Sequence, residues 1–307
     1  SVIICEAESI LAELLSDIEN KRLKPFYRGT LMPVENLPNP RRDLLAKYIF
    51  HSFFTSRGCP YKCRFCVTPA HHGQAMRYRP TSDVIKDIGS FKHKMWFSTD
   101  ADIWGPDINR YTELFREMSI SLPGIYWIGE GNLRDVLHPR GDDMLKWARR
   151  SGLMQVWVGW ESMNAEILES YGADAKMPYM RELAIKKIKD NGMDVVLFLM
   201  LGSEMESLTE YEKALEASDR LAVSVHPVMA VPYPGTEMYS FKKSELLYGD
   251  DWDYFDGMHS MLKQSGSNKE HDRALIKLWI DLFTWPRILR RLKSLSVAKG
   301  FPSAHMA

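Results

Sequence analysis

The sequence predicts an α/β chain organised as a partial (β/α)₆ barrel. Six short apolar runs, at 48–54, 95–100, 125–130, 155–161, 195–202 and 223–229, alternate with stretches of helical character. The runs are nearly continuous in apolar residues, as expected of parallel strands with helices over them. A chain of 307 residues, 45% of them hydrophobic, can bury one such domain and still carry appendages.

Taken in order, residues 1–30 read as the end of another unit. Val2-Ile3-Ile4-Cys5 has the look of a buried strand, with Cys5 as a small apolar core residue. Ile10, Leu11, Leu14, Leu15 and Ile18 then recur at helical spacing. One strand and one helix do not make a domain, so the sequence is expected to be a fragment of a longer protein, the alternative being a member that lacks the rest of that domain. Residues 31–47, with Pro38, Pro40, Arg41 and Arg42, read as an ordered linker. The barrel is expected over 48–240. Its helices begin at Thr81-Ser82-Asp83, where Val84, Ile85 and Ile88 supply an apolar face, and continue at 107–118, 142–150, 179–189 and 209–217. Gly152 and Asn191-Gly192 stop two of them. Beyond the turn-rich Pro232-Tyr233-Pro234-Gly235, a helical extension is expected over 241–307, with an amphipathic stretch at 272–295 interrupted by Pro286.

Chemistry concentrates in Arg57-Gly58-Cys59-Pro60-Tyr61-Lys62-Cys63-Arg64-Phe65-Cys66. Three thiolates at C-x₃-C-x₂-C can hold three irons of a [4Fe–4S] cube and leave the fourth open to a chelating ligand. The competing reading is a zinc site completed by His71 or His72, or simple buried thiols. Arg57, Lys62 and Arg64 are expected to lower the thiol pKa values.

The wording TSRGCPYKCRFC after an apolar strand, with Phe65 before the last cysteine, resembles the radical S-adenosylmethionine (SAM) superfamily. It is closest to the branch with an N-terminal cobalamin-binding domain. The resemblance runs from Glu6 to about Leu292. It implies a barrel whose first strand precedes the cluster loop, and a [4Fe–4S] cluster on Cys59, Cys63 and Cys66. SAM would chelate the open iron and be cleaved reductively to methionine and a 5′-deoxyadenosyl radical. Residues 1–30 would be the closing strand and helix of the cobalamin domain. The branch's Asp-x-His-x-x-Gly cobalamin ligand stretch is absent from this sequence.

The resemblance also implies SAM contacts. Phe65 neighbours the cluster. Ser98-Thr99-Asp100 stands where the ammonium is held, departing from the superfamily's Gly-Gly-Glu form. A strand-end cap is an equal reading for Asp100 and the better one for Asp102. Glu161, closing the fourth strand, matches the ribose-binding carboxylate; a structural ion pair is the alternative, because a polar group buried without a partner costs about 2–7 kcal/mol. Glu130 closes the third strand as a weaker match: a substrate or SAM contact, or a cap. Leu201-Gly202 and Met229-Ala230 match the adenine-contacting segments, with core packing as the alternative for Met229 and Ala230. His226 could face substrate. His71 and His72 read as solvated, His259 has no assigned role, and Tyr233 and Tyr239 read as packing.

Forty basic and forty acidic residues cancel, so bulk charge does not argue for nucleic acid. No apolar run has membrane-spanning length and no signal peptide is visible, which with clustered cysteines suggests the cytoplasm. The function expected is cobalamin-dependent methylation or carbon–carbon bond formation at an unactivated carbon. The substrate would be a small or lipid-like molecule, and electrons would come from a flavodoxin- or ferredoxin-type donor. The alternatives are a radical SAM cyclase, rearrangement or oxidative enzyme without cobalamin, and a non-catalytic iron–sulfur or zinc protein.

Overall fold

The computed structural model of the chain describes residues 1–35, 37–45, 48–173 and 178–297. Parts of the expected linker (36, 46 and 47) and of the C-terminal extension (298–307) lie outside the described residues. The central sheet has six strands: β1 (His51–Phe53), β2 (Met95–Ser98), β3 (Tyr126–Glu130), β4 (Leu153–Glu161), β5 (Asp194–Leu201) and β6 (Ser224–Met229). Neighbouring strands are parallel and lie in the order β6-β5-β4-β3-β2-β1. β1 and β6 do not pair with each other, so the barrel is partial, as expected.

The longer helices after β1 are α1 (Thr81–Gly89), α2 (Ile108–Ser121), α3 (Gly141–Arg150), α4 (Pro178–Asp190), α5 (Thr209–Leu221) and α6 (Asn268–Leu282), followed by α7 (Trp285–Val297). Strand side chains alternate between two environments. Trp96, Trp127, Val156, Val158, Leu197, Leu199 and Val225 are buried in one core with Leu114, Phe115, Leu145, Ile185 and Ala214 of the helices. The opposite parity faces the barrel interior. There Phe97, Trp157, Phe198 and His226 touch in sequence across the sheet, with ring centroids 5.3, 5.6 and 4.8 Å apart. Trp279 of α6 meets His226 at 5.0 Å, so the open edge beside β6 is partly closed by the C-terminal helix.

The first apolar run is shorter than expected. Tyr48, Ile49 and Phe50 are exposed, and β1 begins at His51 because β2 offers ladder partners only from Trp96 to Ser98. The chain then forms a second, antiparallel pair, Ser56–Arg57 with Arg77–Tyr78, which brackets the cysteine loop.

The N-terminal residues correct another expectation. Val2–Ile4 pairs in parallel with Phe26–Arg28 across the helix Leu11–Glu19. Val2, Ile3 and Ile4 are exposed and Cys5 is half-buried, because a two-stranded ribbon offers too little sheet to cover them. This unit is tied to the barrel by polar contacts. Glu6 is buried against Arg77, Arg57 and His72, and Arg42 of the linker reaches Asp87 of α1 through bonds of 2.7 and 3.0 Å. Arg79 donates to the same Asp87 at 2.9 Å, completing a buried cation–anion–cation cluster.

Candidate active site

The cysteine loop leaves β1 under the control of Asp100. The Asp100 carboxylate is buried and accepts from the amides of Thr55 (2.9 Å) and Ser56 (2.5 Å), and from the hydroxyls of Ser56 (3.0 Å) and Ser98 (2.5 Å). It is the clamp that sets where the loop begins. Burial raises its pKa, opposed by those same donors. The loop is held further by the Cys59 amide on the Gly73 carbonyl and the Arg64 amide on the Tyr171 carbonyl.

Cys59, Cys63 and Cys66 line one cavity of about 570 Å³ at the C-terminal ends of the strands. None is in a disulfide. Burial pushes the Cys59 thiol up to about 11 and the Cys63 thiol up to about 12. This reverses the expected effect of the neighbouring cations, and the geometry gives the reason. Arg57 is spent on Glu8 (2.6 Å) and Glu6 (3.4 Å), and Arg64 on Glu237 (3.1 Å). A bound metal would take these thiols to thiolates without help from a nearby charge.

The donor set suits an iron–sulfur cube. The three sulfurs share one cavity, neither His71 nor His72 lines it, and His72 is engaged by Glu6 at 3.2 Å, so the histidine that would complete a zinc tetrahedron is not at hand. Among the described residues no three His, Cys, Asp or Glu side chains are gathered round a point for a single ion. A cube does not need that, because each thiolate takes a different iron. Phe65 lines the same cavity and packs edge-on against Tyr171 at 5.7 Å.

Glu161 is the most distorted residue of the site. It closes β4 at a register shift, with φ of +63°, an uncommon value for a residue with a side chain. The turn places its carboxylate over Gly159, where a Cβ would stand 2.0 Å from Oε1. Burial pushes Glu161 up to about 7, with the Arg181 charge opposing and Glu130 adding to the rise. Arg181 does not simply neutralise it. Its guanidinium donates to the Trp160 carbonyl and lies 4.4 Å over the Trp160 ring.

Other expected contacts fall differently. Leu201 and Met229 have the wrong parity: both are buried in the helix-facing core, while Met200 and Val228 line the cavity. The amides of Met229 and Ala230 are taken by the carbonyls of Gly257 and Leu201, each at 2.6 Å. Gly202, at φ +86°, packs on Met229, and its carbonyl accepts from Gln264 at 2.6 Å. None of the four residues lines the cavity; Leu201, Met229 and Ala230 are buried around it. Ser98 and Thr99 border a second cavity of about 350 Å³, shared with Asp100, Arg57 and Glu130. His226 is half-buried in the aromatic row and lines neither cavity. His259 bonds Asp256 at 3.0 Å, and Tyr233 and Tyr239 reach Phe255 and Asp250.

Asp102 is more than a cap. It is buried, lines the main cavity and accepts from Asn132 and the Trp104 amide; burial pushes it up to about 7. Asn132 also donates to Asp135, which accepts from Tyr61 of the cysteine loop at 3.3 Å. Asn132 and Tyr61 were not singled out by motif. Trp157 and Phe198 could have been found by counting back in twos from Glu161 and Met200.

Residues 53–217 match the model of the Radical SAM superfamily. A bacteriochlorophyllide d C-12(1)-methyltransferase of Chlorobaculum tepidum is 24% identical over 95% of this chain and 66% of its own length. A hopanoid C-3 methylase of Methylococcus capsulatus is 26% identical over 73% of this chain and 44% of its own. The radical SAM methyltransferase TsrM of Kitasatospora setae, solved with tryptophan and a SAM analogue, shares the fold with a TM-score of 0.64 at 16% identity, over 89% of this chain and 60% of that one. The chain thus spans two thirds or less of the length of each of these relatives.

Proposed function

Because this chain belongs to the Radical SAM superfamily, we propose that it is the barrel of a radical SAM methyltransferase acting on an unactivated carbon. The observation that carries the reading is the meeting of Cys59, Cys63, Cys66 and Glu161 on one cavity at the strand ends. The three thiolates hold a [4Fe–4S] cluster, and Glu161 takes the ribose hydroxyls of SAM. When bound, cluster and SAM supply reductive cleavage of a sulfonium carbon–sulfur bond. The protein's part is to seat the cluster loop through Asp100, to aim Glu161 through its backbone turn, and to wall the space with Trp157, Phe198, Met200 and Val228. That wall suits a small or lipid-like substrate with an apolar face, in keeping with relatives named for bacteriochlorophyllides and hopanoids. Among the described residues no helix is long and apolar enough to cross a membrane. Electrons come from a flavodoxin- or ferredoxin-type donor.

Cobalamin stands apart. The Asp-x-His-x-x-Gly stretch of the cobalamin-linked branch does not occur in this sequence.

The test is anaerobic reconstitution with iron and sulfide, then SAM and dithionite. The expected result is methionine and 5′-deoxyadenosine above a Cys63→Ala control. Equal amounts from the two proteins would remove the enzyme reading.

A further inference from the structure

Resting on that reading, we propose that Glu130, and not Asp100, presents the carboxylate that holds the α-ammonium group of SAM. Asp100 is the residue that strand position alone would choose. Its two oxygens are already met by the amides of Thr55 and Ser56 and by the hydroxyls of Ser56 and Ser98. A carboxylate has about four lone-pair directions, and these donors fill them. Releasing them for a ligand would undo the start of the cysteine loop.

Glu130 stands one strand further along and is in the opposite condition. Three residues, Thr68, Ala101 and Glu130, line both the cavity of the cysteines and the cavity beside Ser98 and Thr99; only Glu130 is charged. Its backbone carbonyl accepts from the Ile103 amide, which fixes the end of β3. Its carboxylate stands at the exposed end of β3, and among the described residues it makes no hydrogen bond or ion pair. The charge it bears on is a like one, Glu161. Three carboxylates, Asp102, Glu130 and Glu161, border the main cavity; with Asp102 taken by Asn132 and the Trp104 amide, the other two favour a cationic occupant, and SAM is a cation at both its sulfonium and its ammonium. With Glu161 given to the ribose, Glu130 is left for the amino-acid end, on the side where the two cavities join. Thr99, exposed beside it, adds neutral polar groups to the same wall.

The experiment titrates SAM, and separately 5′-methylthioadenosine, which lacks the ammonium, into reconstituted wild type, Glu130→Gln and Glu130→Asp. A lost charge-assisted bond predicts SAM binding weaker by roughly ten- to a hundredfold in Glu130→Gln. Methylthioadenosine binding should stay within about twofold, and Glu130→Asp should recover part of the SAM affinity. Unchanged SAM affinity in Glu130→Gln overturns the proposal while leaving the enzyme reading intact. An equal loss for both ligands also overturns it, because the carboxylate would then not be reading the ammonium. A wild type that binds no SAM at all removes the underlying reading with it.

Discussion

Glu6 and Arg77 meet in a two-pronged ion pair: Oε2 of Glu6 accepts from Nη1 at 2.8 Å and Oε1 accepts from Nη2 at 2.6 Å. The pair joins the N-terminal βαβ unit to the strand that closes the cysteine loop. Although burial works against it, the bonds from Arg77, the Met32 amide and His72 hold the Glu6 carboxyl down at about 2. A depressed acid stabilises the folded state above its unfolded pKa, here 4.5, and that contribution is lost as pH falls from 4.5 towards 2. Glu6→Gln leaves Arg77 without its anion and should cost about 3 kcal/mol at neutral pH. Its thermal midpoint should then fall less steeply than that of the wild type between pH 5 and about 2. Parallel melting curves for the two proteins across that range would show that the pair does not matter to stability.

Gly159 and Glu161 make the second test. A side chain at 159 would put its Cβ 2.0 Å from the Glu161 Oε1, so Gly159→Ala must push the carboxylate off its seat. The far end of a Glu side chain can move, so the fold should survive with a loss of about 1 kcal/mol or less. SAM affinity should drop by about tenfold or more if the seat matters, since a carboxylate bond to a hydroxyl is worth roughly 1.5–3 kcal/mol. Calorimetric titration beside a thermal melt separates the two effects. Full affinity in Gly159→Ala would mean that Glu161 does not hold the ribose.

Much of this architecture is legible in the sequence, and particular residues mark where it is not. The six strands announce themselves because each is buried on at least one side, and apolar runs survive in sequence. The cysteine triplet is local, so spacing alone brought Cys59, Cys63 and Cys66 together. Parity was harder. Leu201 and Met200 are adjacent and both apolar, yet one faces the helices and the other the cavity. A continuous apolar strand carries no alternation from which to choose. Asp100 and Glu130 look alike in sequence for a different reason: both stand at strand ends, and only the positions of Thr55 and Ser56, 45 and 44 residues earlier, show that the Asp100 carboxylate is already engaged. The exposed Val2 and Ile4 read as core because hydropathy cannot tell a buried strand from one whose sheet is two strands wide.

The cysteine loop itself yields the last prediction, through two glycines with nearly the same backbone. Gly58 has φ +98° and Gly235 has φ +91°, so alanine is strained at both. They differ in space. At Gly58 a Cβ would lie 2.3 Å from the Ala75 carbonyl oxygen, a backbone atom that cannot swing away, whereas at Gly235 nothing lies within 4 Å. Gly235→Ala should therefore cost only the conformational term, about 1–2 kcal/mol, and take up iron as the wild type does. Gly58→Ala adds a clash between the two ends of the loop, just inside the strands that bracket it, and relief requires Cys59 to move with its neighbour. Iron and sulfide bound per chain after anaerobic reconstitution should fall to less than about half of the wild-type value, well beyond what strain of 1–2 kcal/mol produces in a folded domain. Wild-type iron content in Gly58→Ala would show that the loop can seat its cysteines from a different start, and that the close approach of Gly58 to Ala75 is incidental.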